Sequence, residues 1–534
     1  MQNSHALLNR LEQLNAIGVA LSAERDNDRL LEMILLGAKE ITNADGGTLY
    51  TVTDDQHLKF EIMRTDSLGI AMGGTTGKPI PFPALPLHAA DGTPNNNMVA
   101  AYAALNGETV NIEDAYEAQG FDFSGTRKFD LNTGYRSQSF LTIPMKNHEN
   151  EIIGVLQLLN AKDHAAGAIV PFSPENQRLA ESLASQAAVA LTNHNLITGL
   201  KKLFESFIEI IANAVDEKSP YTGGHCRRVP DLAMMLAEAA NSQQEGLFQS
   251  FRMTEDELYE LRIAAWLHDC GKVTTPEYVV DKATKLEAIF DRIKLLDQRF
   301  ELLKAQAEID MLRRQLHAPS ADAEIVWQAY CKQMDDDREF LRVANVGGEF
   351  MSQQHQDRVS QIAAYPLRDE AGQPVPFLSE NEIYNLNIAR GTLTNEERNI
   401  INNHISVTIH MLEALPYPRS LRRVPEYAGG HHERMDGKGY PNGLTREQLS
   451  IPARMMGIAD IFEALTACDR PYKKAKTLSE SLFILGKMKL DNHVDPDLFD
   501  LFIRQKVYLQ YAEQFLAPTQ IDVVDESKIP GYTP

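Results

Sequence analysis

Apolar residues recur at helical spacing from about Leu7 to Ile41, which predicts a helical start to the chain. Two β-rich runs follow in GGTLYTVTDDQHLKFEIM, residues 46–63, and they flank an Asp-Asp turn, which is the pattern of a hairpin. A second hairpin is predicted in SFLTIPMKNHENEIIGVLQLLN, residues 139–160, and a helix from about Ser173 closes the region. These elements predict an α+β domain over residues 1–195.

The closing helix is predicted to continue as one connecting helix over residues 174–216, because no proline interrupts it after Pro174. Its apolar residues step by alternating four and three positions, the spacing of a coiled-coil seam, at Leu196, Leu200, Leu203, Phe207, Ile210 and Ala214. The seam predicts a dimeric signalling helix. The alternative is an amphipathic helix that packs on its own domain.

Helical patterns dominate from Ser219 onward, so residues 217–534 are predicted to form a mostly α-helical domain. Helix starts are predicted at Thr254, Thr394 and Thr445, each followed three residues later by Glu or Gln as in a capping box. A charged helical stretch and a segment with Pro and Gly interrupt this domain at about 284–390. Similar patterns flank that region, DKATKLEAIF before it and ARGTLTNEER after it. We interpret it as an insertion whose helical arm packs on a partner or on the first domain.

Composition restricts the class of protein. The length of 534 residues exceeds what one hydrophobic core supports, and 43% hydrophobic with 24% charged residues is typical of globular proteins. The net charge of −22, without a concentrated basic stripe, argues against DNA or RNA as a partner. Four scattered cysteines fit a reducing cytoplasm, and no apolar run approaches the roughly 18 residues of a membrane span. The sequence therefore predicts a cytoplasmic protein without membrane insertion.

Short segments of the α-helical region carry a set of metal-ligating residue types. The set comprises His225 in GGHCRRV, His268 and Asp269 in WLHDCGK, His404 in NNHISV, His431 and His432 in HHERMDGKGYP, and Asp460 in GIADIFEAL. Imidazole and carboxylate ligands together suit Fe, Mn, Zn or Ni ions, and a carboxylate can bridge two of them. The set is large enough for a site with two metal ions.

The ordered combination H-x-x-R, HDxGK, H, HHExxDGxGYP and D resembles the HD-GYP family, a branch of the HD metal-dependent phosphohydrolases. The match covers about residues 219–275 and 395–500. The resemblance implies hydrolysis of cyclic di-GMP to linear pGpG, and in some members onward to GMP, by a water that two metal ions activate. The implied cofactors are two transition-metal ions, Fe or Mn, with Zn, Ni or Co as alternatives.

The same resemblance implies how the ligands divide between the two ions. One ion would be held by His225, His268 and Asp460, the other by His404, His431 and His432, with Asp269 bridging both.

Further residues receive roles from the motifs. Lys272 resembles the family lysine that meets the scissile phosphate, so Asp269 and Lys272 are the predicted catalytic residues. Arg470 and Lys473 of DRPYKK resemble the substrate-binding cations. Tyr440 is a candidate substrate contact, with a packed loop aromatic as the alternative. Glu433 is a candidate hydrogen-bond partner for a ligating histidine.

Two departures from the family pattern stand out. Tyr221 occupies the position where some members carry a glutamate for a third metal, which favours a two-metal site. In addition, 135 positions separate Asp269 from His404, where the family usually has a short connection. The insertion in this gap is expected to gate the site, dimerise the protein or bind a partner.

Residues 15–195 resemble a GAF domain, a small sensory fold, through KFDLNTGYRSQSFLTIPM, IIGVLQLLN and PFSPENQRLAESLASQAAVAL. Cyclic-nucleotide-binding GAF domains often carry an Asn-Lys pair and a later Phe with Asp-Glu. Here Ala161 follows Asn160, and Phe172 leads to Asn176 and Gln177. Three of the five positions of that pattern differ here, which argues against cAMP or cGMP as the ligand. The GAF ligand, if the domain binds one, is an unidentified small molecule, and the alternative is a dimerising module without a ligand.

The sequence thus predicts an α+β N-terminal GAF domain joined by a long helix to a mostly α-helical HD-GYP domain. The predicted protein is a homodimeric cyclic di-GMP phosphodiesterase that the GAF domain regulates. A near alternative hydrolyses a hybrid GMP-AMP cyclic dinucleotide, because none of the motifs contacts the base. A more distant alternative is a non-catalytic effector that binds the dinucleotide, or a diguanylate cyclase partner, and signals through its arm. The filled ligand positions favour an enzyme.

Overall fold

The computed structural model describes residues 2–163, 166–218, 224–348, 350–468 and 475–533, with the backbone alone for residues 2–7. The chain divides into two compact units, residues 1–204 and residues 205–534.

The first unit has the predicted order of helices and hairpins. Its helices are α1 (Gln2–Ala23), α2 (Asn27–Thr42), α3 (Val99–Asn106), α4 (Ser124–Thr133) and the first part of α5 (Pro174–Lys218). Its strands are β1 (Ala44–Val52), β2 (His57–Thr65), β3 (Ile70–Gly73), β4 (Leu85–Pro86), β5 (Val110–Ile112), β6 (Phe140–Lys146), β7 (Ile152–Lys162) and β8 (Ile169–Val170). Both predicted hairpins are confirmed, as β1 with β2 and β6 with β7.

The strands form an antiparallel sheet in the order β3-β2-β1-β7-β6-β5, with β4 beside β2 and β8 beside β7. In the central strand, Leu49 pairs with Ile62 of β2 and with Leu156 of β7. These three buried side chains join Leu35 of α2 and Leu183 of α5 in one hydrophobic core. The sheet therefore buries one face against helices, as its apolar residues require.

The predicted long helix is confirmed as α5, which has 45 residues. The apolar residues predicted to form its seam are all exposed, and Leu200 has 65% of its surface exposed. A solvent-exposed seam fits the coiled-coil interpretation better than packing on its own domain, and the dimer itself stays a prediction.

The second unit is mostly helical, as predicted. After the end of α5, its helices are α6 (His225–Asn241), α7 (Glu255–Leu267), α8 (Glu277–Val280), α9 (Ile293–His317), α10 (Ala323–Val346), α11 (Gln353–Ala363), α12 (Glu380–Leu386), α13 (Asn395–Asn402), α14 (His404–Glu413), α15 (Val424–Gly429), α16 (Ile451–Thr466), α17 (Leu478–Leu490), α18 (Pro496–Arg504) and α19 (Val507–Phe515). A short antiparallel pair, β9 (Pro366–Arg368) and β10 (Pro374–Pro376), lies between α11 and α12.

Two of the three predicted capping boxes are confirmed, at Thr254 before α7 and at Thr394 before α13. The helix start predicted at Thr445 is wrong. Thr445 donates its backbone N–H to Gln448 Oε1 at 2.8 Å, but only a turn follows, and α16 begins at Ile451 with Ser450 as its N-cap. Pro452 explains the later start, because proline is favoured in the first turn of a helix, where its missing N–H costs nothing.

The region predicted as an insertion has a hydrophobic cluster of its own, with buried residues from Leu286 to Leu386. Two lysines join its entry to its exit. Lys285 Nζ donates to the carbonyl oxygens of Leu386 at 2.9 Å and Ile388 at 2.8 Å, and Lys282 Nζ lies 2.7 Å from Glu397 Oε2. The two ends of the region therefore meet beside α13, the helix that leads to His404. The domain limits themselves stay a prediction.

Among the described residues, none of the helices has both the length and the apolar character needed to cross a membrane.

Candidate metal centre

The structure brings all seven predicted metal ligands together in the second unit. Most of them stand at helix ends, where a side chain can face a shared site. His225 begins α6, His268 follows α7, Asp269 precedes the 3₁₀ turn Cys270–Thr274, His404 begins α14, His431 and His432 follow α15, and Asp460 lies within α16.

A first cluster comprises His225, His268 and Asp460, whose ligand atoms all lie within 4.8 Å of one another. His225 Nε2 lies 3.3 Å from Asp460 Oδ1 and 3.3 Å from His268 Nε2. This is the triple that the HD-GYP resemblance implies for one ion.

A second cluster comprises His404, His431 and His432, again with ligand atoms within 4.8 Å of one another. The ring centroids of His431 and His432 are 4.2 Å apart, and those of His404 and His432 are 5.3 Å apart. This is the triple implied for the other ion.

Asp269 reaches both clusters. Its Oδ2 lies 3.3 Å from His225 Nε2 and 3.3 Å from His268 Nε2, whereas its Oδ1 lies 3.2 Å from His404 Nε2. One carboxylate oxygen therefore faces each cluster, which is the arrangement that a bridging ligand requires. The roles of Asp269 and the other six residues as metal ligands stay a prediction.

Three polar atoms of the site are buried and make no hydrogen bond within the described part of the chain: Asp269 Oδ1, His404 Nε2 and His431 Nε2. Leaving such atoms unpaired costs about 1–3 kcal/mol each. A bound cation would satisfy all three, because carboxylate oxygens and imidazole nitrogens are donors to transition metals. The residues present therefore fit divalent transition-metal ions.

In four of the five histidines, a contact of Nδ1 fixes the orientation of the imidazole ring. In three of the histidines, Nδ1 contacts the carbonyl oxygen three residues earlier: His268 contacts Ala265 at 2.7 Å, His431 contacts Ala428 at 2.5 Å, and His404 contacts Ile401. Each Nε2 is thereby turned towards the site.

His225 has a different arrangement because it is the first residue of α6. Its Nδ1 contacts a carboxylate oxygen of Glu463. The other oxygen of Glu463 accepts a hydrogen bond from Arg228 Nε at 2.7 Å. None of the sequence motifs pointed to Glu463. The available signal was its position three residues after Asp460 in a helix, which places both carboxylates on one face.

Burial and charge set the protonation of the ligands. Burial lowers the pKa of His432 to about 4 and holds the pKa of His431 well below its ordinary value. Both rings are therefore neutral near pH 7, which is the form that binds metals. Burial would raise the pKa of Asp269, but Lys272 and His268 hold it well below its ordinary value.

The pKa of His225 moves in the opposite direction. Burial alone would lower it, but the carboxylate of Glu463, together with Asp269 and Asp460, raises it well above its ordinary value. A carboxylate partner on Nδ1 makes an imidazole a more basic ligand, so Glu463 is expected to strengthen His225 as a metal donor.

Glu433 does not act as the histidine partner that the sequence suggested. Its two oxygens accept hydrogen bonds from the backbone N–H groups of Asn442 at 2.8 Å and Leu444 at 2.9 Å. The prediction relied on its position next to the paired histidines, but the buried carboxylate points away along the loop and holds that loop in place.

The glycine-rich loop after the paired histidines is tight. Gly437 has a φ of 74°, and a Cβ on Gly439 would lie 2.4 Å from Arg434 N. The fold of the loop stacks the ring of Tyr440 on His432, with centroids 4.8 Å apart and an interplanar angle of 23°. Tyr440 therefore packs beside the site, and its contact with a substrate stays a prediction.

The turn that carries Asp269 is packed closely against α14. Gly271 donates its N–H to Thr408 Oγ1 at 2.9 Å, and a Cβ on Gly271 would lie 2.0 Å from the carbonyl oxygen of His404. Only glycine permits this approach, which sets Asp269 against His404. Lys272 Nζ lies 2.5 Å from Asp269 Oδ2, and its side chain is 25% exposed.

Three residues near the predicted site lie outside the described part of the chain. Arg470 and Lys473 belong to the gap at 469–474, and Tyr221 belongs to the gap at 219–223.

Known protein families match the N-terminal and C-terminal parts of the chain separately. The family described as GAF domain matches residues 26–191. Families described as HD domain match residues 222–344 and 380–498, and the seven predicted ligands fall within these two matches. The chain contains a GAF domain and an HD domain.

Curated relatives match part of this chain. This chain is 42% identical to the 3'3'-cGAMP-specific phosphodiesterase 1 of Vibrio cholerae over 81 residues, which are 15% of this chain and 19% of that protein. It is 36% identical to a cyclic di-GMP phosphodiesterase of Pseudomonas aeruginosa over 114 residues, 21% of this chain and 26% of that protein. The chain thus spans about a fifth to a quarter of these relatives. The solved GAF domain of an Acinetobacter phosphoenolpyruvate-protein phosphotransferase aligns over 36% of this chain and 97% of its own, at 15% identity and a TM-score of 0.26.

The GAF domain encloses a cavity of about 340 Å³ with an aromatic lining. Its aromatic residues are Tyr50, Phe60, Phe82, Phe123, Phe129 and Phe140. Asp122 is the one charged residue on its wall, and among the described residues no lysine or arginine lines it. Asn160, which the cyclic-nucleotide pattern uses, is fully buried and accepts hydrogen bonds from the N–H groups of Gln138 and Ser139. The cavity is therefore poorly suited to a phosphate.

Proposed function

We propose that this chain hydrolyses cyclic dinucleotides, with cyclic di-GMP as the chief substrate. The observation that carries the proposal is the placement of Asp269, whose two oxygens face two separate triples of ligands in one buried site. The names of the relatives support the substrate class, since both are phosphodiesterases of cyclic dinucleotides.

Two transition-metal ions fit this site, one at His225, His268 and Asp460 and one at His404, His431 and His432. When bound, such a pair activates water for in-line attack on a phosphodiester and neutralises charge on the phosphate oxygens. The chain's own residues orient the donors, because the Nδ1 contacts of His225, His268, His404 and His431 turn their Nε2 atoms inward and Asp269 lies between the two triples. The proposed product is linear pGpG, and hydrolysis onward to GMP is a second turnover of the same site.

Lys272 is the proposed phosphate contact. Its ammonium group lies beside Asp269 and is partly exposed, so it can donate to a phosphate oxygen that approaches from solvent. Arg470 and Lys473 are proposed to bind the substrate from the neighbouring segment. Local cations of this kind are needed because the protein carries a net charge of −22.

The nearest alternative function differs only in the nucleobases of the cyclic dinucleotide substrate. The proposed roles of the seven ligands and Lys272 involve the phosphodiester and the attacking water, and none of them involves a purine base. A relative that is 42% identical is named as specific for 3'3'-cGAMP. Hydrolysis of this hybrid dinucleotide is therefore the second candidate function.

A non-catalytic effector, which binds the dinucleotide or a diguanylate cyclase, would need the same pocket but not a complete ligand set. The unpaired atoms Asp269 Oδ1, His404 Nε2 and His431 Nε2 favour an enzyme, because an effector without metals would gain stability by losing them. Turnover separates the two classes, since an effector releases the dinucleotide unchanged.

The GAF domain is proposed to regulate turnover within a homodimer formed along α5. The support is the aromatic cavity, which is large enough for a small molecule, and the exposed seam of α5. A variant without residues 1–170 is expected to change kcat. Unchanged kinetics in a folded and equally dimeric truncation would contradict this regulation.

The test of the activity begins with anaerobic purification and metal analysis. The protein is then incubated with cyclic di-GMP or with 3'3'-cGAMP in Mn or Fe(II), and the products are separated by chromatography. We expect about two metals per chain and conversion to linear products. Asp269→Asn should abolish turnover, whereas the control Asp500→Asn, which removes an ion pair with Lys489, should not. Tight binding of both dinucleotides without turnover in the metal-loaded protein would refute the enzyme and favour the effector.

A further inference from the structure

Helix α9 of the insertion carries an exposed heptad pattern that the proposed function does not use. Leu295, Leu302, Ile309 and Leu316 recur every seven residues, and Gln298, Ala305 and Leu312 follow at the intermediate positions. All seven residues are exposed, and the exposed fraction of Leu316 reaches 84%. Apolar residues at this period are the signature of a helix that pairs with another helix.

The other sides of α9 are already occupied. Leu296, Phe300 and Leu303 are buried in the hydrophobic cluster of the insertion. Glu301 and Lys304 form ion pairs with Arg338 and Asp335 of α10. The exposed seam lies on a third side, because successive residues of a helix are turned by about 100°.

The hairpin of α9 and α10 extends beyond its own core. Between Leu303 and Met334, every described residue is exposed or half-buried. The end of α9 from 304 to 317 is therefore roughly 20 Å of helix without a buried side chain. A helical hairpin that buries none of these side chains gains little stability from packing, so contact with a partner surface would stabilise this arm.

The charges beside the seam identify that partner. In the heptad, Arg299, Gln306 and Arg313 flank the seam on one side, and Glu301, Glu308 and Gln315 flank it on the other. In a parallel pair of α9 helices, Glu308 faces Arg313 of the partner subunit. An antiparallel pair would instead place like charges together. The helix is thus complementary to itself in the parallel arrangement only.

The net charge of the arm supports the same partner. Residues 304–333 contain four Lys or Arg and four Asp or Glu, whereas the whole chain has a net charge of −22. Two copies can therefore meet at this arm without the repulsion that most of their surface would cause. We propose that α9 pairs with α9 of a second copy as a parallel, in-register coiled coil, at a surface separate from the seam of α5.

Cysteine crosslinking of the full-length chain tests the register. In a background of Cys331→Ser and Cys468→Ser, Ile309→Cys should form a disulfide-linked dimer on mild oxidation, because identical seam positions of a parallel pair lie within disulfide reach. The matched control is Arg314→Cys, an exposed position of the same helix that faces away from the seam. We expect at least a tenfold higher yield for Ile309→Cys. Equal yields, or no dimer from either variant, would overturn the proposal. The seam of α9 would then have to contact something other than a second α9.

A charge exchange tests the proposed partner in the same crosslinking background. Glu308→Arg and Arg313→Glu should each reduce the yield of the Ile309→Cys dimer severalfold, and the double variant should restore it. Residues five apart do not face each other on one helix, so rescue reports a contact between two copies. A dimer held elsewhere by α5 would raise the effective concentration of the cysteines in all these variants alike, so the differences between the variants still report the contact between α9 helices. A double variant as weak as the single variants would refute the parallel pairing.

Discussion

Replacement of Glu463 by alanine is expected to weaken metal binding at the cluster of His225, His268 and Asp460 without unfolding the protein. Glu463 is 1% exposed, contacts His225 Nδ1 with one oxygen and accepts Arg228 Nε at 2.7 Å with the other. Its removal frees the His225 ring to rotate and makes it less basic. Loss of such a partner lowers metal affinity about 10- to 100-fold, which corresponds to about 1.4–2.7 kcal/mol.

The assay is a competition titration with a chromophoric chelator, combined with metal analysis after dialysis. Glu463→Gln keeps an oxygen for Nδ1 and loses the charge, so its affinity should fall between that of the wild type and that of Glu463→Ala. The control is Glu260→Ala, another buried carboxylate, which accepts the N–H of Arg423 and contacts no predicted ligand. If Glu463→Ala binds metal as tightly as the wild type, the reasoning about His225 is refuted.

Three further predictions follow from the structure. Asp269→Ala should abolish turnover and reduce metal content at both clusters together, because its oxygens face both; retention of one full metal would contradict the bridging role. Gly271→Ala should lower the unfolding free energy by at least about 1–3 kcal/mol, measured by chemical unfolding, because its Cβ would meet the carbonyl oxygen of His404 at 2.0 Å. Burial lowers the pKa of Lys285 to about 8 from 10.5, so between these values the unfolded chain binds more protons and stability rises with pH. This rise in unfolding free energy is at most about 3 kcal/mol, and it should be absent in Lys285→Met. Urea unfolding of both proteins at pH 7.5 and 9.5 measures it, and parallel pH profiles of the two proteins would contradict the prediction.

Local patterns predicted the elements of the fold best where one residue period dominates. The hairpins at 46–63 and 139–160 alternate β-rich residues around clear turns, and α5 has no interior proline. The start of α16 was misplaced because the capping signal at Thr445 lies in a turn that pairs with Asp436, and the proline of the next turn begins the helix instead. A capping-box pattern indicates only that a backbone N–H has a side-chain partner. It marks the start of a helix only where a helical segment follows.

The sequence motifs predicted the ligating residues of the candidate site, but they did not predict the side chains that contact those ligands. The motifs named all seven residues that converge, because each motif is local. The contact between His225 and Glu463 joins residues 238 positions apart, and no local pattern of the chain contains both. The misassigned Glu433 shows the same limit, since its side chain contacts the loop at Asn442 rather than the histidine beside it. Which side chains orient a ligand is decided by packing between distant helices.

The position of the insertion also orders events during synthesis of the chain. Asp269 faces both clusters, and Asp460 belongs to the cluster of His225 and His268. These two aspartates are separated by 191 positions. At about 5–20 residues per second, roughly 10–40 s pass between the appearance of the first carboxylate and the second. Through this interval the nascent chain holds His225 and His268 without their third partner. Neither triple is complete until the arm has been made, because each contains a residue that follows the arm in the sequence. Under the proposed function, metal loading would therefore be a late step of biogenesis, and a bound pair of ions would mark a chain whose folding has finished.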